Sequence, residues 1–138
     1  MAGLIKHFSD LEVYRDAFRL GLRSFEVSKN FPSEEKFALT DQLRRAARSV
    51  GANIAESWGK RRYIAHFVSK LSDADKELHE TEHWLACAVK HEYIDRKTFE
   101  DFRSEIASIG RRLGAMMANP EPFILKSVSV RTKPTSDL

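Results

Sequence analysis

The chain has 138 residues, 42% of them hydrophobic and 31% charged, with a formal net charge of +3, so it is long enough for one ordinary globular domain with its own core. Its single cysteine, Cys87, excludes an internal disulfide framework and fits a reducing compartment. No stretch approaches the roughly 18 apolar residues of a membrane-spanning helix, and the N-terminus lacks an apolar run of signal-peptide length. We therefore expect a cytoplasmic protein without a membrane segment.

Helical periodicity dominates the chain up to about residue 118. Apolar side chains recur at three- and four-residue steps, while glycine and proline are sparse and fall between the periodic segments. Because short loops join these segments, we expect an all-α protein, an antiparallel up-down-up-down four-helix bundle. The helices are predicted over about residues 10–29, 33–58, 62–91 and 95–118, and together they form one domain over residues 1–118.

Capping residues and prolines predict the helix ends. Ser9 is the expected N-cap of the first helix, and Pro32 opens the second, which has a looser start before Thr40. Pro120 stops the fourth helix. The tail over residues 119–138 is partly β-branched and partly polar, and we expect it to be docked in part and flexible in part.

The first helix carries more apolar surface than one bundle covers. Its apolar residues span an arc of roughly 220°, whereas an ordinary amphipathic helix needs little more than about 100°. The second helix adds a face of small residues, which include Gly51, Ala52 and Ala55. We therefore expect a closed, ring-shaped homo-oligomer in which a second copy covers part of this surface.

Polar residues of the second helix share one face. At 100° per residue they fall within a sector of about 80°, beside alanines that must face the core. We interpret them as a partly buried polar seam in which Arg45 forms an ion pair with Asp75 of the third helix. Unconnected surface side chains are the alternative. The seam consists of Gln42, Arg45, Ser49, Asn53, Glu56 and Asp75.

Positive charge is concentrated towards the end of the second helix. Residues 42–62 contain six basic residues and one acid, whereas residues 63–91 contain three lysines and five acids. This patch suits RNA, DNA or an acidic protein, and a solvated helix end explains it equally well. The aromatic residues mostly follow core periodicity, so no base-stacking platform is indicated. The candidate nucleic-acid-binding residues are Arg44, Arg48, Lys60, Arg61 and Arg62.

The string HETEH, from His79 to His83, matches the zinc-protease pattern, in which two histidines hold zinc and Glu80 activates a water molecule. A catalytic site also needs a third ligand and a cleft, and no motif around Glu100 or Glu105 supplies them. A glutamate-rich helix with several histidines produces this string by composition, which leaves adventitious surface zinc as an alternative. Cys87 is interpreted as a small buried residue. We expect no enzymatic activity, metal site or cofactor.

The run FPSEEKFALTDQLRRAARSVGANIAESWGK resembles the signature of the four-helix-bundle proteins called 23S ribosomal RNA intervening-sequence proteins, approximately F-P-x-E-E-x-x-x-L-T-x-Q-x-x-R-A-x-x-S-x-x-x-N-I-A-E-G. The likeness extends over about residues 8–113. Ser57 stands where the signature has glycine, and Lys76 and Glu77 replace a usual Gly-Ser pair. The matching residues are Phe31, Pro32, Glu34, Glu35, Leu39, Thr40, Gln42, Arg45, Ala46, Ser49, Asn53, Ile54, Ala55 and Glu56.

The resemblance implies an assembly protein rather than an enzyme. Similar proteins form homopentameric barrels of five bundles. Relatives serve as accessory subunits of diversity-generating retroelements, where they bind a reverse transcriptase and nucleic acid through a basic surface. The implied partners are further copies of the chain, RNA or DNA, and a reverse transcriptase. A structural or protein-binding scaffold with no nucleic-acid role remains the alternative.

Overall fold

The computed structural model describes residues 4–126, and within that range the chain forms four long α-helices and three short 3₁₀ helices, with no strand. The predicted all-α class with four helices is confirmed. The short 3₁₀ helices are Phe8–Asp10, Ser33–Glu35 and Glu121–Phe123. The long helices are α1 (Glu12–Ser28), α2 (Leu39–Trp58), α3 (Ile64–Lys90) and α4 (Arg96–Ala118).

All four helices contribute to one apolar core, because each turns one face of its periodic pattern inward. α2 packs most extensively against α3 and next against α1, and of the four neighbouring pairs of long helices α1 and α4 have the smallest contact. This leaves part of α1 facing solvent. The largest fully buried side chains include Leu20, Leu43, Ile54, Phe67, Leu85, Phe102 and Leu113.

The start of α1 differs from the prediction. Residues 8–10 form a separate 3₁₀ turn, in which the Ser9 N–H donates to Nδ1 of His7 at 3.2 Å and Asp10 accepts the His7 N–H at 3.1 Å. The N-cap of α1 is Leu11, which makes no side-chain capping bond. The expectation that Ser9 caps the first long helix was therefore wrong, because Ser9 lies inside the separate 3₁₀ turn that His7 and Asp10 cap.

α2 begins at Leu39, later than the predicted bound at residue 33 but in keeping with the looser start expected before Thr40. Residues 33–38 form a 3₁₀ helix followed by irregular turns. The N-cap residue, Ala38, has no capping side chain, and Oε1 of Glu35 accepts the Leu39 N–H at 3.2 Å in its place. A carboxylate at this position both satisfies a free N–H and suits the positive end of the helix dipole.

The first part of the predicted tail docks against α3 and the α2–α3 turn. The Phe123 ring stacks on Phe67 with centroids 5.9 Å apart, and the Leu125 N–H donates to the carbonyl of Arg61 at 3.1 Å. The remainder of the tail, residues 127–138, lies outside the described residues. Within residues 4–126, no helix has both the length and the apolar character that crossing a membrane requires.

Candidate functional site

The turn between α2 and α3 carries three consecutive basic residues, Lys60, Arg61 and Arg62, which we call the basic turn. Arg61 is half-buried: its Nε donates to the Trp58 carbonyl at 2.7 Å, and its guanidinium lies 3.5 Å from the centroid of the Trp58 ring. Burial lowers the pKa of Arg61 below its usual value, but a guanidinium stays charged. Arg61 therefore anchors the turn.

The other two members of the basic turn face solvent. Lys60 and Arg62 are exposed and form no ion pair with any residue from 4 to 126. The nearest acid along α2, Glu56, is neutralised by Lys70 of α3, with 2.7 Å between Oε1 and Nζ. That pairing raises the pKa of Lys70, chiefly through the hydrogen bond to Glu56. Among the described residues, therefore, no carboxylate pairs with the two exposed cations of the turn.

Arg44 and Arg48 form a separate group against α1. The guanidinium carbons of Arg44 and Arg48 lie 4.4 Å and 5.4 Å from the centroid of the Phe25 ring, and Nε of Arg44 donates to Oγ of Ser28 at 2.7 Å. Arg48 is exposed, and the twelve residues from it to Lys60 correspond to about 18 Å along a helix. The single basic patch predicted from the sequence is therefore divided into two.

The polar stripe of α2 is more exposed than a buried seam. The Arg45 side chain is 71% exposed and pairs with Asp41 of its own helix at 3.5 Å. Gln42 is exposed, and Nδ2 of Asn53 donates to the Ser49 carbonyl at 2.9 Å. Of the stripe, only Glu56 reaches α3, through its bond with Lys70 described above. The stripe is mainly a set of surface groups satisfied within α2.

The predicted Arg45–Asp75 pair was wrong, because Arg45 pairs within α2 with Asp41 and Asp75 does not lie on the side of α3 that faces α2. Lys70 marks the side of α3 that faces α2, and Asp75 lies five residues further, about 140° around the helix. Asp75 instead lines a small cleft beside Ile106 of α4 and lies 3.6 Å from Nδ1 of His79.

The HETEH segment lies on α3 with its histidines pointing to solvent. Nδ1 of His79 is 2.8 Å from the Asp75 carbonyl, and Nε2 of His83 is 3.9 Å from Sγ of Cys87. Across residues 4–126, no three His, Cys, Asp or Glu side chains come together in an arrangement that could hold a metal ion. Cys87 itself is half-buried beside His83, not enclosed in the core as predicted.

An apolar groove runs between α1 and α2. Phe18 and Leu22 are 55% and 54% exposed along it, and Gly51 and Ala52 of α2 form part of its lining. The groove has a volume of about 530 Å³, and Arg48 also lines it. The wide apolar arc of the first helix thus leaves large side chains uncovered in a single chain, as the sequence predicted.

Two exposed aromatic residues were not predicted from the sequence. Tyr63, directly after the basic turn, is 58% exposed, and Phe37, before α2, is 86% exposed. The signal that could have identified both is their position, because each lies in a connection between helices and outside the core periodicity. Tyr63 adds an aromatic surface to the basic turn.

Comparison with known proteins agrees with the resemblance seen in the sequence. The family model described as 23S rRNA-intervening sequence protein matches residues 9–115. Among solved structures, a protein with unknown function from the S23 ribosomal protein family of Bacteroides thetaiotaomicron has a TM-score of 0.69 and 31% sequence identity, and the match covers 76% of this chain and 97% of that chain. No curated protein matches the chain. Since the family match covers most of the sequence, the chain belongs to the 23S rRNA-intervening sequence protein family.

Proposed function

We propose that the protein is a non-enzymatic homo-oligomer of antiparallel four-helix bundles that binds nucleic acid through the basic turn. The observation that carries this proposal is the pair of exposed cations, Lys60 and Arg62, on a turn whose charge no neighbouring acid cancels among the described residues. Contacts from lysine and arginine to phosphates supply most of the affinity in nucleic-acid binding that does not depend on sequence.

The turn also has the rigidity that a phosphate site needs. The Arg61 side chain holds the turn by bonding and stacking on Trp58. The Arg61 carbonyl holds it as well, by accepting the Leu125 N–H. Because the backbone is held at Arg61, Lys60 and Arg62 lose less conformational freedom when they bind than side chains on a loose loop. We therefore assign Arg61 a positioning role and Lys60 and Arg62 the direct phosphate contacts.

Assembly into a ring would allow two phosphate contacts per chain to give useful affinity for a nucleic acid. In a ring, each copy repeats the basic turn, and several weak phosphate contacts act together on one polymer. The short connections between helices support the antiparallel arrangement, and the uncovered groove at Phe18 and Leu22 supports a homo-oligomer. Resemblance to the family favours a pentamer, with a reverse transcriptase as a further partner. The single cysteine favours a reducing compartment, the cytoplasm.

Salt-dependent binding tests this proposal. Fluorescence anisotropy with RNA and DNA, from low to physiological salt, should show affinity that falls steeply as salt rises and depends little on sequence. Lys60→Gln combined with Arg62→Gln should weaken binding and reduce the slope against salt by about one for each phosphate that is no longer bound. Arg61 is kept, because it anchors the turn.

The matched control is Lys36→Gln combined with Lys90→Gln. These lysines lie before α2 and at the end of α3, and replacing them changes the net charge by the same amount. Equally weakened binding in the two double variants would show a general charge effect and no site. Absence of binding to either polymer at low salt would favour the alternative, a protein-binding scaffold, for which the apolar groove between α1 and α2 is the supporting observation.

A further inference from the structure

Exposed apolar side chains adjoin the basic turn. Tyr63 is 58% exposed, Ile64 next to it is 41% exposed, and Leu125, which reaches the turn through its bond to Arg61, is 51% exposed. A ligand that presents charge alone would leave this apolar surface exposed, beside two cations that form no ion pair within residues 4–126. Its natural counterpart is a molecule that carries phosphates and flat apolar faces together.

Tyr63 is placed to meet such a face. It is the N-cap residue of α3, with extended backbone (φ −128°, ψ 129°), so it stands before the first helical turn. Its N–H donates to the Lys60 carbonyl at 3.4 Å, and its ring has an edge-on neighbour in His66, with centroids 5.3 Å apart. Arg62 precedes it directly, so a cation and an aromatic ring project from consecutive residues.

A double helix does not offer the matching surface. Its bases are stacked on one another, and its outside presents phosphates and sugars. An unpaired strand exposes base faces, and aromatic side chains beside cations bind these faces without much preference for sequence. We infer that the nucleic acid bound at the basic turn is single-stranded and that Tyr63 stacks on one of its bases. The inference rests on the proposed function and adds the class of substrate to it.

Four probes of the same length test the inference: a single-stranded RNA, a single-stranded DNA, the DNA annealed to its complement, and a DNA strand of abasic sites that keeps the phosphates. Wild-type protein should bind both intact single strands more tightly than the duplex or the abasic strand. Removing one base-stacking contact weakens binding by about 5- to 150-fold. Tyr63→Ala should weaken binding to single strands by that factor and leave binding to the abasic strand unchanged, whereas Tyr63→Trp should retain binding.

Phe37→Ala is the control, because Phe37 is also an exposed aromatic beside a cation, with Nζ of Lys36 5.3 Å from its ring centroid. It lies at the other end of α2, about 30 Å away for a helix of this length. Its removal should leave all four affinities unchanged, and circular dichroism should show that both alanine variants remain folded.

The outcomes separate the two claims. If the single strands and the duplex bind equally and Tyr63→Ala changes nothing, the inference is refuted, while dependence on Lys60 and Arg62 would still support the proposed function. If no probe binds at low salt, both fail. Tighter binding of both single strands that is weakened by Tyr63→Ala supports both.

Discussion

Oη of Tyr93 donates a hydrogen bond to Oε2 of Glu35 at 2.9 Å, and so joins the segment before α2 to the connection between α3 and α4. The other oxygen of the same carboxylate, Oε1, accepts the Leu39 N–H at the start of α2. The ring of Phe31 adds apolar contact, with its centroid 5.4 Å from that of Tyr93. One glutamate thus begins a helix and fastens it to a distant part of the chain.

Glu35→Ala should lower the free energy of unfolding by about 1–2 kcal/mol, because the Leu39 N–H and the Tyr93 hydroxyl both lose their partner. Urea unfolding followed by circular dichroism measures the change. Glu34→Ala is the control, since Glu34 is exposed and adjacent, and it should change stability by less than about 0.5 kcal/mol. Similar destabilisation of the two variants would contradict a capping role for Glu35.

The helices could be predicted from the sequence because apolar periodicity is a local property. The looser start before Thr40 could be predicted as well, but the group that caps α2 could not, because Glu35 is held in place by a tyrosine 58 residues away. The Arg45–Asp75 prediction failed because spacing along the chain gives the height of a residue along the helix axis. It does not give which face of α3 is turned towards α2. The structure fixes that face by placing Lys70 against Glu56.

The candidate site could also be predicted only where it depends on neighbouring residues in the sequence. The exposure of Lys60 and Arg62 follows from their position after a helix end. The stacking of Arg61 on Trp58, three residues earlier, is a local signal that helical spacing could have revealed. The packing of Arg44 on Phe25 depends on how α1 meets α2, which the sequence does not specify.

Arg44 and Arg45, although adjacent, should differ strongly in their effect on folding. Arg44→Ala should cost about 1–2 kcal/mol, because it removes the bond to Ser28 and the packing on the Phe25 ring. Arg45→Ala should cost less than about 0.5 kcal/mol, since its only ion pair among the described residues is an exposed one within α2, to Asp41. Denaturant unfolding of both variants checks this. A larger loss of stability for Arg45→Ala than for Arg44→Ala would support the buried polar seam.

Stability in acid should depend on Asp16, which accepts hydrogen bonds from Arg112 of α4 at 2.6 Å and from Arg19 at 2.8 Å. Partial burial acts to raise the pKa of Asp16, but the bonds from the two arginines outweigh it and bring the pKa below its usual value of 3.8. The folded chain then binds this proton less readily than the unfolded chain. The resulting stability is present above the unfolded pKa, about 4, and is lost as the pH falls through the folded pKa.

Asp16→Asn should therefore be less stable than wild type near neutral pH and lose less stability between about pH 5 and pH 2. Unfolding midpoints in urea across this range measure the difference. Asp101→Asn is the control, because Asp101 forms an exposed pair with Lys97 of its own helix and, among the described residues, joins no second helix. Parallel pH profiles for wild type and Asp16→Asn would show that the Asp16–Arg112 bond does not stabilise the fold.

Zinc should not co-purify with the protein in stoichiometric amount. The histidines of HETEH point to solvent, and residues 4–126 bring no third ligand to them. His83→Ala should accordingly fold as wild type does. Elemental analysis of protein purified without chelator measures the metal content. One zinc per chain, absent from His83→Ala, would reverse the assignment of this segment to an ordinary helix surface.

Phe18 and Leu22 should hold the oligomer together, because each leaves about half of its apolar surface uncovered in a single chain. Burial of a large apolar side chain contributes about 1.5–3 kcal/mol when complete, so a carboxylate at either position should weaken assembly at least about tenfold. Light scattering at micromolar concentration should show an oligomer for wild type and for Phe37→Asp, whose side chain lies outside the groove, and monomers for Phe18→Asp and Leu22→Asp. Circular dichroism should remain helical in all of them, since these side chains already face water in the single chain. A stable wild-type monomer would remove the basis for the proposed ring, and with it the repeated phosphate contacts.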